Sequence, residues 1–176
     1  MTVAGELISF DAVVTSRADR DTVYAVLLDL PAHLEWAGSR AKAADFKLLD
    51  LRATAQPAAP GDRFTSTGAN FNGTFHDASI VTDAADYTLA FETTSRLDRK
   101  HGKPWEAMFS HRYHVESADS GSRIIYSCRV HDANYRPYWL KPGLRALTRP
   151  YVSSAIAKQM RNLAALAEER GRVRVG

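Results

Sequence analysis

The stretch PYVSSAIAKQMRNLAALAEER, Pro150 to Arg170, decides the fold. Val152, Ala155, Ile156, Gln159, Met160, Leu163, Leu166 and Ala167 recur at helical spacing, so this is a long helix with one face toward a core. Pro150 is expected to open it, because a proline in the first turn lacks only an N–H that would go unbonded there. Gly171 is expected to end it. Glu168 and Glu169 stand at the unfavourable end for the helix dipole, and Arg170 and Arg172 partly offset them. Upstream, Tyr138 to Thr148 is also helical in pattern but interrupted by Pro142-Gly143, so the C-terminal arm is expected in two pieces.

Working back from that helix, the middle of the chain is strand-rich. Runs occur at Phe46–Ala53, Arg63–Thr67, Thr74–Thr82, Tyr87–Thr94, Glu106–Glu116 and Arg123–Val130. The breaks carry turn chemistry such as Pro-Gly-Asp, Asn-Phe-Asn-Gly and Asp-Ala-Ala-Asp, so neighbouring strands should pair antiparallel. The stretch Arg96–Pro104 reads as a longer, charged, exposed loop. At the N-terminal end, Leu7 to Thr15 alternates as a strand. Asp19 or Asp21 then caps a helix carrying Val23, Val26, Leu27 and Leu30 on one face. Pro31 stops or restarts it, and a second short helix with Leu34, Glu35 and Trp36 ends at Gly38.

The 176 residues contain no repeat and no low-complexity linker, and Gln56-Pro-Ala-Ala-Pro-Gly-Asp62 is short enough for a hairpin loop. Residues 1–176 are therefore read as a single domain. Hydrophobic residues make up 45% and charged residues 24%, a globular balance. The single cysteine, Cys128, excludes an intrachain disulfide and a zinc cluster. Met1 to Phe10 lacks the pattern of a signal peptide, and no run approaches the ~18 apolar residues that span a bilayer, so a cytoplasmic location is expected. From Arg136 to Gly176, nine Lys/Arg stand against Glu168 and Glu169. That is a local +7, which leaves −4 on the rest of a chain of net +3.

The order of elements, with Phe10-Asp-Ala-Val-Val14, Val23-Tyr-Ala-Val-Leu-Leu-Asp-Leu30, Leu34-Glu-Trp36 and Met160-Arg-Asn-Leu-Ala-Ala-Leu166, resembles the START/Bet v 1-like (SRPBCC) superfamily, especially its polyketide cyclase/dehydrase-like branch. The resemblance covers nearly the whole chain. It implies an α+β helix-grip fold: a curved seven-stranded antiparallel sheet around the long C-terminal helix, with two short helices after the first strand. It also implies a deep cavity between sheet and helix. Arg17-Ala-Asp-Arg20 stands where such proteins usually have Ala-Pro-Pro.

Strand alternation then predicts the cavity wall. On Glu106–Glu116 the more apolar set contains Phe109, His111 and Tyr113; on Arg123–Val130 it contains Tyr126 and Cys128; on Tyr87–Thr94 it contains Leu89 and Phe91. Trp36, Phe64, Phe71 and Phe75 complete the wall, with Leu140, Leu144, Leu147 and Tyr151 near the mouth. Inward polar tips need hydrogen-bond partners, from one another or from a ligand. His111 and His114 lie three apart on a strand and point to opposite faces, so they do not share a metal. No phosphate loop, dinucleotide-binding glycine motif or nucleophile elbow is present, and neither a metal nor a cofactor is expected.

Lys141, Arg145 and Arg149 repeat every four residues beside apolar positions. This pattern suits transient contact with an anionic membrane, whereas nothing resembles a nucleic-acid motif. Three functions fit: binding of a lipid, polyketide or similar apolar molecule; a cyclase or aromatase with His111, Tyr113 and Tyr126 as catalytic candidates and His111 as base; or a surface-mediated interaction module.

Overall fold

The structure, a computed structural model, describes residues 8–42, 46–134 and 142–175, with side chains from 149 to 173 in the last segment. Strand β1 (Ile8–Ser16) turns Ile8, Phe10 and Ala12 into the core, as alternation requires. Of the two expected caps, Asp19 holds the start of α1 (Arg20–Leu28). Its carboxylate accepts from the Thr22 amide at 2.7 Å and the Thr22 hydroxyl at 3.0 Å. Those bonds, the backbone one first, hold its pKa below the ordinary carboxylate value. Pro31 ends the α-helical path, and the chain continues as a 3-10 turn (Leu30–Ala32) and a π-helical turn (Leu34–Ser39) that buries Trp36.

Six more strands follow: β2 (Lys47–Ala53), β3 (Arg63–Asn70), β4 (Gly73–Asp83), β5 (Thr88–Arg99), β6 (Trp105–Ala118) and β7 (Gly121–Ala133). They form one antiparallel sheet in the order β1-β7-β6-β5-β4-β3-β2. Register shifts at Leu48/Asp50, Val81/Asp83 and Ala107/Phe109 add local twist and curve the sheet. Helix α2 (Pro142–Val175) packs along β1, α1 and the π-helical turn. Its buried row includes Ile156, Met160, Leu163 and Ala167. Burial of Met160 and Leu163 stabilises by roughly 1.5–3 kcal/mol each. This is the α+β helix-grip architecture.

Three local expectations are corrected. Helix α2 is continuous from Pro142: Pro150 lies inside it, since a proline removes one backbone bond while burial of Ile156, Met160, Leu163 and Ala167 further along holds the helix in place. Gly171 does not end the helix, because it does not take the positive φ that makes glycine a stop signal. Arg96–Pro104 is not all loop. β5 runs to Arg99, pairing with β4 and β6, and the charges fit because Arg96 and Asp98 face outward while Ser95 and Leu97 face inward. Among the described residues, no helix is long and apolar enough to cross a membrane.

The acidic end of α2 is used to clamp the fold. Glu168 Oε1 accepts from the Arg17 amide at 2.8 Å and the Ser16 hydroxyl at 3.3 Å. Arg40 grips Glu169 through two bonds of 3.0 and 2.6 Å, and Arg170 reaches Asp29 and Glu35. Glu168→Ala is expected to cost about 1 kcal/mol, read as a lowered urea midpoint. In the β6–β7 turn, Gly121 has φ +132°, and an added Cβ would stand 2.1 Å from the Ser16 carbonyl oxygen. Neither backbone can yield, so Gly121→Ala is expected to cost about 2 kcal/mol in the same measurement.

Candidate functional site

Between the concave face of the sheet and α2 lies a cavity of about 230 Å³. An engineered apolar cavity of roughly 150 Å³ already admits benzene, so this one has room for a molecule with an aromatic ring. The sheet alternation places Phe64, Phe75, Phe91, Phe109, His111, Tyr113, Tyr126 and Cys128 on its wall, and the π-helical turn adds Trp36. From α2 come Val152, Ile156 and Gln159.

Aromatic rings line one part of the cavity. His111 is stacked on Phe91 at 4.8 Å and on Phe109 at 5.9 Å between centroids. Tyr113 and Tyr126 are 4.7 Å apart, and Trp36 meets Tyr113 edge-on at 6.3 Å. His111 Nδ1 lies 2.8 Å from the Tyr126 hydroxyl, so the two inward polar tips satisfy each other. Burial lowers the His111 pKa to about 4, leaving a neutral ring at physiological pH. Burial also pushes the Tyr113 and Tyr126 phenols up, and the Cys128 thiol to about 12. This part of the cavity is therefore uncharged. An imidazole with so low a pKa is a weak general base, and the thiol is no nucleophile.

The remaining wall is polar, and sequence reasoning missed it. Cross-strand register aligns Ser66 of β3, Asp77 of β4 and Ser95 of β5, and in the next inward row Ser79 meets Thr93 at 2.8 Å. The Asp77 pKa is raised to about 6, because burial disfavours its charge more than Ser95, His76 and Ser66 favour it. The signal was present: Phe75 was placed inward, and Asp77 and Ser79 share its face at a period of two. His33, also missed, donates from Nε2 to the Leu27 carbonyl at 2.9 Å, and burial lowers its pKa to about 4.

Other expected wall residues fall elsewhere. Leu89 is wholly buried in packed core, where side chains fill the end of the concave face near α1. Phe71 lies in the β3–β4 turn, outside strand alternation, and meets Tyr151 edge-on at 6.1 Å on the surface; both rings are half-exposed. Tyr151 misses the cavity because the inward row of α2 passes through Val152 and Ile156. Leu140 and Lys141 lie outside the described residues, as do the side chains of Leu144, Arg145 and Leu147. Arg149 is exposed and reaches Asp11 at 3.7 Å. Among the described residues, no group of three or more His, Cys, Asp or Glu side chains is placed to hold a metal ion.

The curved sheet, the gripped helix and the cavity between them together define the Bet v 1-like helix-grip fold. Solved structures agree. A norcoclaurine synthase point mutant from Thalictrum flavum, in complex with a transition-state analogue, aligns at a TM-score of 0.59 and 14% identity, covering 97% of this chain and 98% of that one. Ara h 8.0201 aligns at 0.55 and 16% identity, covering 89% and 98%. A protein from Nitrosomonas europaea aligns at 0.60 and 14% identity, covering 93% and 96%. No family model and no curated protein matches the sequence.

Proposed function

We propose that this protein binds a small, largely apolar molecule in the cavity between its sheet and α2. One observation carries the reading. Among the described residues, two buried side-chain polar atoms lack a hydrogen-bond partner, Trp36 Nε1 and Asp77 Oδ1, and both residues line this cavity. A buried donor or acceptor left unpaired costs about 1–3 kcal/mol, so a ligand that satisfies both groups recovers that energy while covering the aromatic wall. The similarly folded norcoclaurine synthase, solved with a transition-state analogue, is in keeping with this reading.

Native mass spectrometry of protein purified from its own host tests the proposal. The expected result is an additional mass of a few hundred daltons that denaturation releases. Ala37 is a small residue of the wall, and Ala37→Leu adds volume there. That variant is expected to lose about tenfold in bound fraction, with its urea midpoint measured alongside to separate filled space from a weakened fold. Protein that carries no adduct and takes up no neutral aromatic probe would sink the reading. A cyclase driven by His111 as base is the weaker alternative, because its ring is neutral, buried and a poor proton acceptor.

A further inference from the structure

We propose that the cavity selects molecules bearing a protonated amine on an apolar, ring-sized body, with the ammonium seated against the Asp77 carboxylate. This rests on the reading of the cavity as a ligand site and adds the ligand's charge to it. Asp77 stands at mid-strand in β4, on the cavity face, opposite Ser66 on β3 and Ser95 on β5. Its Oδ1 is closed off from solvent and has no hydrogen-bond partner among the described residues.

The charge inventory gives the sign. Among the described residues, no lysine or arginine lines the cavity. His33 and His111 are held neutral by burial, and Tyr113, Tyr126 and Cys128 keep their protons. From α2 the facing group is Gln159, which donates to the Phe46 carbonyl. His76 follows the outward face of β4, half-exposed, 3.6 Å from Asp98. Among the described residues, Asp77 alone therefore makes the cavity anionic once ionised.

An ammonium brings three donors. The unpartnered carboxylate oxygen and the Ser66 and Ser95 hydroxyls are acceptors, and the aromatic wall, with Phe75 two residues from Asp77 on the same face of β4, suits a cation. A carbonyl-rich ligand brings acceptors only and requires Asp77 to be protonated. The two classes therefore predict opposite pH dependences.

Isothermal titration calorimetry of the full chain with 2-phenylethylamine, 2-phenylethanol and ethylbenzene tests this. At neutral pH the amine is expected to bind about tenfold more tightly than the alcohol, and Asp77→Asn removes that preference. In the wild type the amine's affinity rises several-fold from about pH 5 to about pH 8 as Asp77 ionises, while an alkylammonium stays charged and ethylbenzene affinity stays level. This second readout decides the matter if Asp77→Asn folds poorly. An amine that binds no better than the alcohol, or a preference that survives in Asp77→Asn, overturns the inference. In the first case, binding of ethylbenzene and the alcohol leaves the cavity reading standing. If none of the three binds, both fall.

Discussion

Asp77→Asn is expected to raise the stability of the ligand-free protein at pH 7 by about 3 kcal/mol. Burial lifts the Asp77 pKa from 3.8 to about 6 in the folded state. The native protein thus holds this proton more tightly than the unfolded chain does. The favourable protonated form is lost as pH rises from about 4 through 6, and above that the fold carries an ionised carboxylate with one buried, unpaired oxygen. Asparagine keeps the shape without the charge. The gain should appear as a higher urea midpoint at pH 7 and shrink to almost nothing by about pH 4. Equal midpoints at pH 7 would mean that the native state accommodates the charge without penalty. A wall residue that destabilises the empty protein is what a binding site accepts when the group serves a ligand.

Acid is expected to act in the opposite direction and with larger total effect. His33 and His111 are buried, and burial lowers each from 6.5 to about 4. The unfolded chain therefore takes up these protons first. Their contribution is complete above about pH 6.5 and is lost as pH falls to 4, at roughly 3 kcal/mol for each ring. Asp77 regains about 2 kcal/mol over the same interval, which leaves a net loss of about 3–4 kcal/mol between pH 7 and pH 4. Asp77→Asn lacks that compensation, so its midpoint should fall by the equivalent of about 6 kcal/mol. Urea titrations of both proteins at several pH values check the slope and the difference. Parallel, flat profiles would show that neither imidazole stays neutral in the fold.

The linear pattern was enough for much of this molecule. Pro150 to Arg170 carries one buried row, and the alternation in Glu106–Glu116 and Arg123–Val130 put Phe109, His111, Tyr113, Tyr126 and Cys128 on the inner face. Alternation reports a face, however, and not what the face meets. Leu89 obeys the rule and is packed solid, while Phe71, in a turn, escapes it. Arg96–Arg99 reads as loop by its charges, yet Arg96 and Asp98 lie on the convex side of a paired strand. In a sequence, apolar residues are the signature of a cavity wall, so Ser66, Asp77, Ser79 and Ser95 do not stand out, although β4 carries Asp77 and Ser79 in phase with Phe75.

By itself, the sequence determined the order of elements and the aromatic inner face, because periodicity and turn chemistry are local properties of the chain, and the helix-grip arrangement was what its resemblance to START/Bet v 1-like proteins implied. The continuity of α2 across Pro150 was decided by the structure, since the buried row from Ala155 to Ala167 outweighs one missing backbone bond. So was the electrostatic character of the cavity. Ser66, Asp77 and Ser95 become neighbours only through the β3–β4–β5 register, and Asp77 acquires its raised pKa only once the sheet and helix exclude water from it.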